Sequence, residues 1–277
     1  MEATKKLNGK AVAKWFSNNA IIVMMLAVSL IVGIMHPNFF SGTNMINLFK
    51  NVSIRYIIAL GISGCLITTG NDLSAGRLAG FAACLACIFA QTEGAAGKFY
   101  PNMHTLPTPV VFILVIAICA IIGIPVLIWI ALVVAACFWF LYNKTRHGKY
   151  MYAIGGNEAA AEVAGVNVHA TKIRIYILAS CMFGLAGCLL AAKSGGASVN
   201  TAMGYELDAI AACTIGGVST TGGFGTVPGV LVGVLVFELM KVALQFMNVN
   251  SSYTYIVQGL VIIVAVAIDI RKYLAKK

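Results

Sequence analysis

Four polar or charged residues interrupt the apolar sequence between two hydrophobic runs: Asn71, Asp72, Ser74 and Arg77. Ionisable and amide side chains are costly in hydrocarbon, so residues of these types should face the interior of a helix bundle or a water-filled cavity. Two interpretations follow. Either the group lines a path for a polar solute, or Asp72 and Arg77 form an ion pair that fixes a tight turn.

A second pair of charges, Glu238 and Lys241, lies inside a later hydrophobic run. Residues three apart share one face of a helix, so the spacing predicts an ion pair within that helix. A role for Asp72, Glu238 or Lys241 in ion-coupled transport is the alternative.

The sequence contains no pattern typical of an enzyme. The four histidines are scattered, which argues against a metal cluster; they are His36, His104, His147 and His169. The glycine-rich segment 222–229 has the spacing of neither a phosphate-binding nor a dinucleotide-binding loop. We therefore expect a chain that is not an enzyme and that binds no metal or cofactor of its own.

The longest polar stretch, residues 143–174, contains the signal of a short helix. Asn157 is a favourable N-cap, and Gly165 suits the position just after a helix end. The helix of about two turns between them carries Glu158 and Glu162 on one face, and it is too short to be stable alone in water. Such a helix suits a groove on another protein. A connector that lies on lipid headgroups is the alternative.

Composition indicates an all-α polytopic membrane protein. Hydrophobic residues make up 60% of the 277 residues and charged residues only 10%, more apolar surface than a soluble core needs. Of the 19 Lys and Arg residues, 13 lie in three segments, Lys5–Lys14, Lys144–Arg174 and Arg271–Lys277. Charge placed in this way orients membrane spans and does not form a phosphate-tracking patch, so no nucleic-acid partner is expected.

The hydrophobic runs predict about eight transmembrane helices. The runs are Ala20–Met35, Val52–Thr69, Leu73–Ala90, Pro109–Tyr142, Ile175–Ala192, Leu207–Gly217, Val227–Met247 and Thr254–Ile268. The three basic segments should all be cytoplasmic, so an even number of crossings separates one from the next. Pro109–Tyr142, about 50 Å long as a helix, is then a single over-long crossing kinked at Pro125. Leu207–Gly217 must also cross, unless it is partly re-entrant.

These runs divide the chain into five parts. They are a basic cytoplasmic tail (1–19), a first transmembrane bundle (20–142), a cytoplasmic coupling loop (143–174), a second transmembrane bundle (175–268) and a second basic cytoplasmic tail (269–277). Both termini are therefore expected in the cytoplasm, and the chain in the inner cell membrane.

A weak internal repeat links the two bundles. Thr68-Thr69-Gly70 precedes a Gly76-x-x-x-Gly80 motif, and Thr220-Thr221-Gly222 precedes a Gly229-x-x-x-Gly233 motif. Duplicated halves with broken helices are common in transporters, although a match of this length can also arise by chance.

Four motifs carry a resemblance to a known family. They are the RYIIALG segment from Arg55, the TGNDLSAGR segment from Thr69, the loop Ala153–Val168 and the segment Tyr205–Ser219. On these motifs the chain resembles the monosaccharide-import permeases of the ABC class, nearest to their galactose/methyl-galactoside branch and close to the ribose branch.

The resemblance implies a membrane subunit that works as a homodimer in the lipid bilayer. A soluble sugar-binding protein would deliver the sugar outside, and a separate ATPase subunit would bind ATP and magnesium inside. The residues implied in coupling to that ATPase are Gly155, Gly156, Asn157, Glu158, Ala159, Ala160 and Gly165. Asp72 and Ser74 match a signature stretch of the family and, with Asn71 and Arg77, are the candidate solute-path residues.

The chain departs from this family in its length. Members carry two further spans between the positions of Gly123 and Ala135, so this chain resembles a shortened form. Losing a pair of crossings preserves the orientation of everything that follows. A remnant that inserts in the membrane but transports nothing is therefore an alternative to an active permease.

Overall fold

The computed structural model describes residues 20–70, 72–89, 126–198 and 200–274. All regular structure in that part of the chain is α-helical, which confirms the predicted all-α class. The helices are α1 (Ala20–Met35), α2 (Gly42–Ile67), α3 (Ala75–Phe89), α4 (Val126–Lys144), α5 (Arg146–Gly156), α6 (Glu158–Val163), α7 (Val168–Ser194), α8 (Tyr205–Ile215), α9 (Val227–Phe246) and α10 (Ser251–Leu274). Four of them, namely α2, α4, α7 and α9, are long and apolar enough to cross a membrane.

Helix α2 forms the centre of the bundle. Its side chains are nearly all buried from residue 52 to its end, and α4, α7, α8 and α9 pack around it. Glycines allow α7 to approach closely: a Cβ added to Gly61 would lie 2.9 Å from the Phe183 ring, and one added to Gly64 would lie 3.3 Å from Ile175. Close packing of small residues drives helix association where lipid offers no hydrophobic gain.

The helices run in alternate directions between two ends of the bundle, the loop end, which carries α5 and α6, and the opposite far end. Helix α7 begins at the loop end and runs antiparallel to α2, which ends there. Helices α8 and α9 are also antiparallel, because Gly229 packs on the backbone of Gly216 and Gly233 on that of Ala212. Helix α8 therefore approaches the loop end, and α9 returns to the far end.

The structure extends one predicted run and shortens another. Helix α2 begins at Gly42, ten residues before the predicted Val52, because Ser41 caps it and Asn51 finds a partner in Lys193 of α7. Helix α8 has only 11 residues, or about 16 Å of helix. It cannot span a hydrocarbon core of about 30 Å by itself, so a crossing here needs the non-helical residues next to the helix as well.

The fourth predicted run is described only in part. Helix α4 covers its second half, from Val126 to Lys144. The first half of Pro109–Tyr142, including the expected kink at Pro125, lies outside the described residues.

Candidate functional site

The first interruption, residues 68–74 between α2 and α3, contains a buried carboxylate. Asp72 is 8% exposed, and its Oδ1 accepts the backbone N–H of Ser74 at 2.9 Å and the Ser74 hydroxyl at 2.6 Å. Hydrogen bonds to an ionised acceptor are short and strong, so they fix the turn that begins α3. None of the ion pairs among the described residues joins Asp72 to Arg77, whose side chain is exposed. The interpretation in which an ion pair between Asp72 and Arg77 fixes the turn is therefore wrong. Asn71, the remaining member of the group, lies outside the described residues.

Asn157 alone separates α5 from α6 and caps both helices. Its backbone N–H donates to the Ala153 oxygen at 3.0 Å, and its side-chain oxygen accepts the Ala160 N–H at 3.0 Å. Gly165 follows the helix with φ +85° and donates its N–H to the Glu162 oxygen at 2.9 Å. The short capped helix predicted between Asn157 and Gly165 is confirmed.

Helix α6 exposes most of its surface. Ala161 is the only buried residue among its six, and the exposed residues are Glu158, Ala159, Ala160, Glu162 and Val163. Val163 is 91% exposed, which is unusual for an apolar side chain. Both oxygens of Glu158 lie 2.8 Å from Nζ of Lys172 on α7. This ion pair ties α6 to the bundle and leaves the alanine face free.

The two glycines at the end of α5 have different surroundings. A Cβ added to Gly156 would meet nothing within 4 Å, whereas Gly155 is buried and its Cα packs against the backbones of Ile67 and Gly223. The Gly223 N–H also donates to the Ile67 oxygen at 2.9 Å. Gly155 therefore belongs to an internal contact, and Gly156 lies at the surface with the residues that follow it.

The second interruption, residues 216–226 between α8 and α9, is held at the loop end by its backbone. Gly222 and Gly223 have φ values of +91° and +76°, which glycine adopts without steric strain. The Tyr152 hydroxyl of α5 donates to the Gly225 oxygen at 2.7 Å. The segment is thus attached both to the end of α2 and to α5.

Four charged side chains meet inside the bundle. Arg55 of α2 lies 3.1 Å from Asp208 of α8 and 2.8 Å from Glu238 of α9, and Lys241 of α9 also contacts Asp208. We call these four residues the charge cluster. All four side chains are at most 16% exposed. Glu238 Oε2 is an ion-pair partner of Arg55 but accepts no hydrogen bond, so attraction between charges maintains that contact.

The ion pairs of the charge cluster differ from the pair predicted from the sequence. The sequence analysis also did not predict that these four residues meet. Glu238 pairs with Arg55 and Lys241 with Asp208, so the expected Glu238–Lys241 pair within one helix is wrong. The reason is that α2 and α8 pack on the same face of α9 and bring counter-charges to it. Isolated charges in apolar runs must find partners in the bundle, which is the signal that could have linked Arg55 and Asp208 to this face.

Two titratable groups in α5, outside the membrane-spanning helices, have shifted pKa values, and for Tyr152 burial raises the pKa. Burial lowers the pKa of His147 in α5, and the positive charge of Arg174 lowers it further. The folded protein therefore favours the neutral imidazole at the base of α5.

Three features of the structure are suited to binding a ligand or a partner protein. The first interruption offers a buried carboxylate in a polar turn, and α6 offers an exposed small-sided surface. The charge cluster balances two positive and two negative side chains. In the ranges that the structure describes, no three His, Cys, Asp or Glu side chains are grouped to hold a metal ion.

Comparison with known proteins identifies the family. The model of the family described as "Branched-chain amino acid transport system / permease component" matches residues 126–266, half of the chain, including the loop helices, α8 and α9. No solved structure matches the chain.

Several curated permeases are similar along almost the whole chain. The galactose/methyl galactoside import permease protein MglC of Salmonella typhimurium is 36% identical over 333 residues, covering 98% of this chain and 99% of the relative. The Escherichia coli protein of the same name is 35% identical with the same coverage. The ribose import permease protein RbsC of Escherichia coli is 30% identical over 308 residues, covering 93% of this chain and 95% of the relative. The chain therefore belongs to this permease family of ABC importers.

Proposed function

We propose that this protein is the membrane-spanning subunit of an ATP-driven importer that moves a monosaccharide, galactose or a methyl-galactoside, across the cytoplasmic membrane. The proposal is carried by the 36% identity with a galactose/methyl galactoside import permease over 98% of the chain. The likeness includes both interruptions and the loop helices as well as the apolar helices. The exposed loop helix and the two polar interruptions could therefore have the same roles in transport as in the relative.

The outer face of α6 is the proposed docking site for a separate ATPase subunit, which would bind the ATP and magnesium. A helix without bulky side chains fits a groove on a partner, and the exposed Ala159 and Ala160 leave such a face bare. The Glu158–Lys172 ion pair holds α6 against α7. A docking partner would therefore meet a helix that is already oriented.

The proposed topology has eight crossings with both termini in the cytoplasm. The basic segments around α5 and α6 favour the cytoplasmic side for the loop end. Helices α3 and α8 have 15 and 11 residues, about 22 and 16 Å. The non-helical interruptions next to them, 68–74 and 216–226, would complete their crossings, as broken helices do in transporters.

The proposed solute path passes the first interruption. Asp72, which is buried, and Ser74, which is exposed, form a hydrogen-bonded polar turn between two apolar helices, and hydroxyl groups of a sugar are suitable partners for such a turn. A soluble sugar-binding protein would deliver the sugar at the far end. A second copy of this chain would complete the wall of the path.

Reconstitution tests the whole proposal. The purified chain is placed in liposomes with its importer's ATPase and sugar-binding protein, and uptake of labelled galactose is measured. ATP-dependent accumulation that survives a protonophore is the expected result. Uptake that collapses with the protonophore while ATP is maintained would support ion coupling through Asp72, Glu238 or Lys241 instead.

A second candidate, a non-transporting remnant, is favoured by one observation. The alignment with the Salmonella permease covers 333 positions, 56 more than the 277 residues of this chain. The relative therefore carries residues that have no counterpart here. An ATPase that co-purifies with the chain while uptake stays at background would support the remnant.

Docking on α6 is tested by Ala160→Glu. A charge added to the bare face should lower recovery of the co-purified ATPase by at least about tenfold, as expected for an unpaired charge at an interface. Gly196→Glu is the matched control, since it adds the same charge at the far end where an added Cβ meets nothing within 4 Å. Glu158 is the poorer target because its carboxylate already binds Lys172. Equal recovery for both variants would remove α6 as the docking site.

A further inference from the structure

Three backbone segments meet at the loop end with no side chain between them. They are the end of α5 at Gly155, the end of α2 at Ile67 and the turn Gly222–Gly223 of the second interruption. Gly223 donates to the Ile67 oxygen at 2.9 Å, and a Cβ on Gly155 would overlap that oxygen. A Cβ on Gly222 would lie 2.8 Å from the Gly155 oxygen. We call these four residues the glycine joint. Close-packed atoms transmit displacement because they cannot be compressed.

The helix that delivers Gly155 to the joint is firmly seated. Met151 and Ile154 of α5 are each 1% exposed. The hydroxyl of Tyr152 donates to the Gly225 oxygen at 2.7 Å, which adds a second attachment to the same interruption. Helix α5 and residues 222–225 are therefore held together at two points.

The connection between α6 and the helix that carries Gly155, α5, is a single residue long. Asn157 is the only residue between α5 and α6, and its backbone and side chain are both used as caps. A single capped residue leaves little freedom between two helices. A tilt of α6 must therefore turn the end of α5.

The glycine joint also contacts both interruptions. A Cβ on Gly222 would run into Cγ2 of Thr69, so the second interruption touches the first, two residues after Ile67 and three before Asp72. The second interruption also continues directly from α8, whose first turn carries Asp208 of the charge cluster.

We propose that the glycine joint is a positioning element of the transport cycle, which passes a displacement of α6 to residues 68–74 and 216–226 together. This inference rests on the proposed function. A push on α6 by the ATPase would then rearrange both non-helical segments at once, since both touch the same contact. The joint itself stays closed and acts as a rigid link between a surface helix and two interior turns.

Gly155→Ala tests the joint, because the added methyl group must separate α5 from Ile67. ATPase co-purification should stay within about twofold of the wild type. Galactose uptake per ATP hydrolysed should fall by about two- to thirtyfold, the range found for residues that carry coupling between sites. Tyr152→Phe, which removes the bond to Gly225 without a clash, should lower the same ratio by a smaller factor.

Gly259→Ala is the matched control, since it adds the same methyl group to α10 where nothing lies within 4 Å. Its uptake-to-hydrolysis ratio should equal that of the wild type. An unchanged ratio in Gly155→Ala would overturn the inference, as would a loss of uptake that merely follows a loss of assembled complex. If Gly155→Ala does not accumulate in the membrane, the ratio in Tyr152→Phe decides, and a wild-type ratio there overturns the joint. Failure of the wild-type chain to bind an ATPase or take up galactose would count against the proposed function itself.

Discussion

The two interruptions of the bundle have similar sequences but are held by different forces. Each contains a Thr-Thr-Gly run, Thr68-Thr69-Gly70 in the first and Thr220-Thr221-Gly222 in the second, and leads into a helix with two glycines four apart. The first is fixed from within, by the Asp72 carboxylate and Ser74. The second is fixed from outside, by Gly223 bonded to Ile67 and by Tyr152 of α5.

The glycine pairs that follow the interruptions have a common target. In α3, Gly76 and Gly80 pack against residues 201–206, which lead into α8 and form its first turn. In α9, the corresponding pair, Gly229 and Gly233, packs against the end of α8. Helix α8 is thus enclosed at both ends by small-residue contacts. A short helix can be retained in a membrane bundle in this way because close backbone packing replaces the missing length.

The largest difference between the two regions should appear when their buried aspartates are neutralised. Asp72→Asn keeps an oxygen that can still accept from Ser74, and should lower the free energy of unfolding by about 1 kcal/mol. Asp208→Asn leaves Lys241 without its partner and Arg55 with only one, and should lower it by about 3–5 kcal/mol. Denaturant titration in detergent micelles measures both.

A second substitution checks that this loss comes from unpaired charge. Adding Lys241→Gln to Asp208→Asn should restore part of the stability, because the stranded cation is then removed. Equal losses for the two aspartate variants would show that the charge cluster contributes no more than the local turn does.

A smaller difference is expected between the two glycine pairs. Gly233→Ala would press a methyl group onto the backbone of Ala212 and Gly216, and should cost about 1–3 kcal/mol by overpacking. Gly76→Ala would meet the movable carboxylate of Glu206 and, at 2.7 Å, the backbone oxygen of Ala202. This backbone contact is milder than the overlap of Gly233→Ala with the Ala212 oxygen, so Gly76→Ala should cost less. Thermal unfolding of the two variants in the same detergent makes the comparison. The reverse order would mean that α8 is held mainly at its first turn.

The smallest effect should be a pH dependence confined to the second interruption. The unfolded chain protonates His147 near a pH of about 6.5, whereas the lowered pKa delays protonation in the folded protein. The unfolded state then binds more protons in that window, so stability rises with pH and is lost as the pH falls below about 6.5.

Hydrogen exchange measured between pH 7.5 and 5.5 separates the two interruptions. Because α5 holds residues 222–225, acid should lower the protection factor, the intrinsic exchange rate divided by the observed rate at each pH, more at the Gly223 amide than at the Ser74 amide. His147→Gln should abolish the difference between the two pH values. An equal acid effect in that variant would show that another group is responsible.

Much of the fold could be predicted from local sequence patterns. The wrong or missing predictions all concern contacts between residues that are far apart in the chain. Apolar runs located the helices, and Asn157 and Gly165 correctly bounded α6, because capping depends on residues within one turn. The pairing of Glu238 was predicted wrongly as local, since its true partner is Arg55, 183 positions away in the chain. The burial of Gly155 was missed for the same reason.

The amino-acid sequence by itself determined that this is a helical membrane protein of the permease family, with a capped surface helix between two bundles. Hydrophobicity, charge placement and capping depend on residues that are close together in the sequence, so they can be predicted without the tertiary structure. Only the tertiary structure decided which charges meet, that α8 is too short to cross alone, and that Gly155, Ile67 and Gly223 touch. These depend on which helix faces pack together, and that choice is made by the whole bundle.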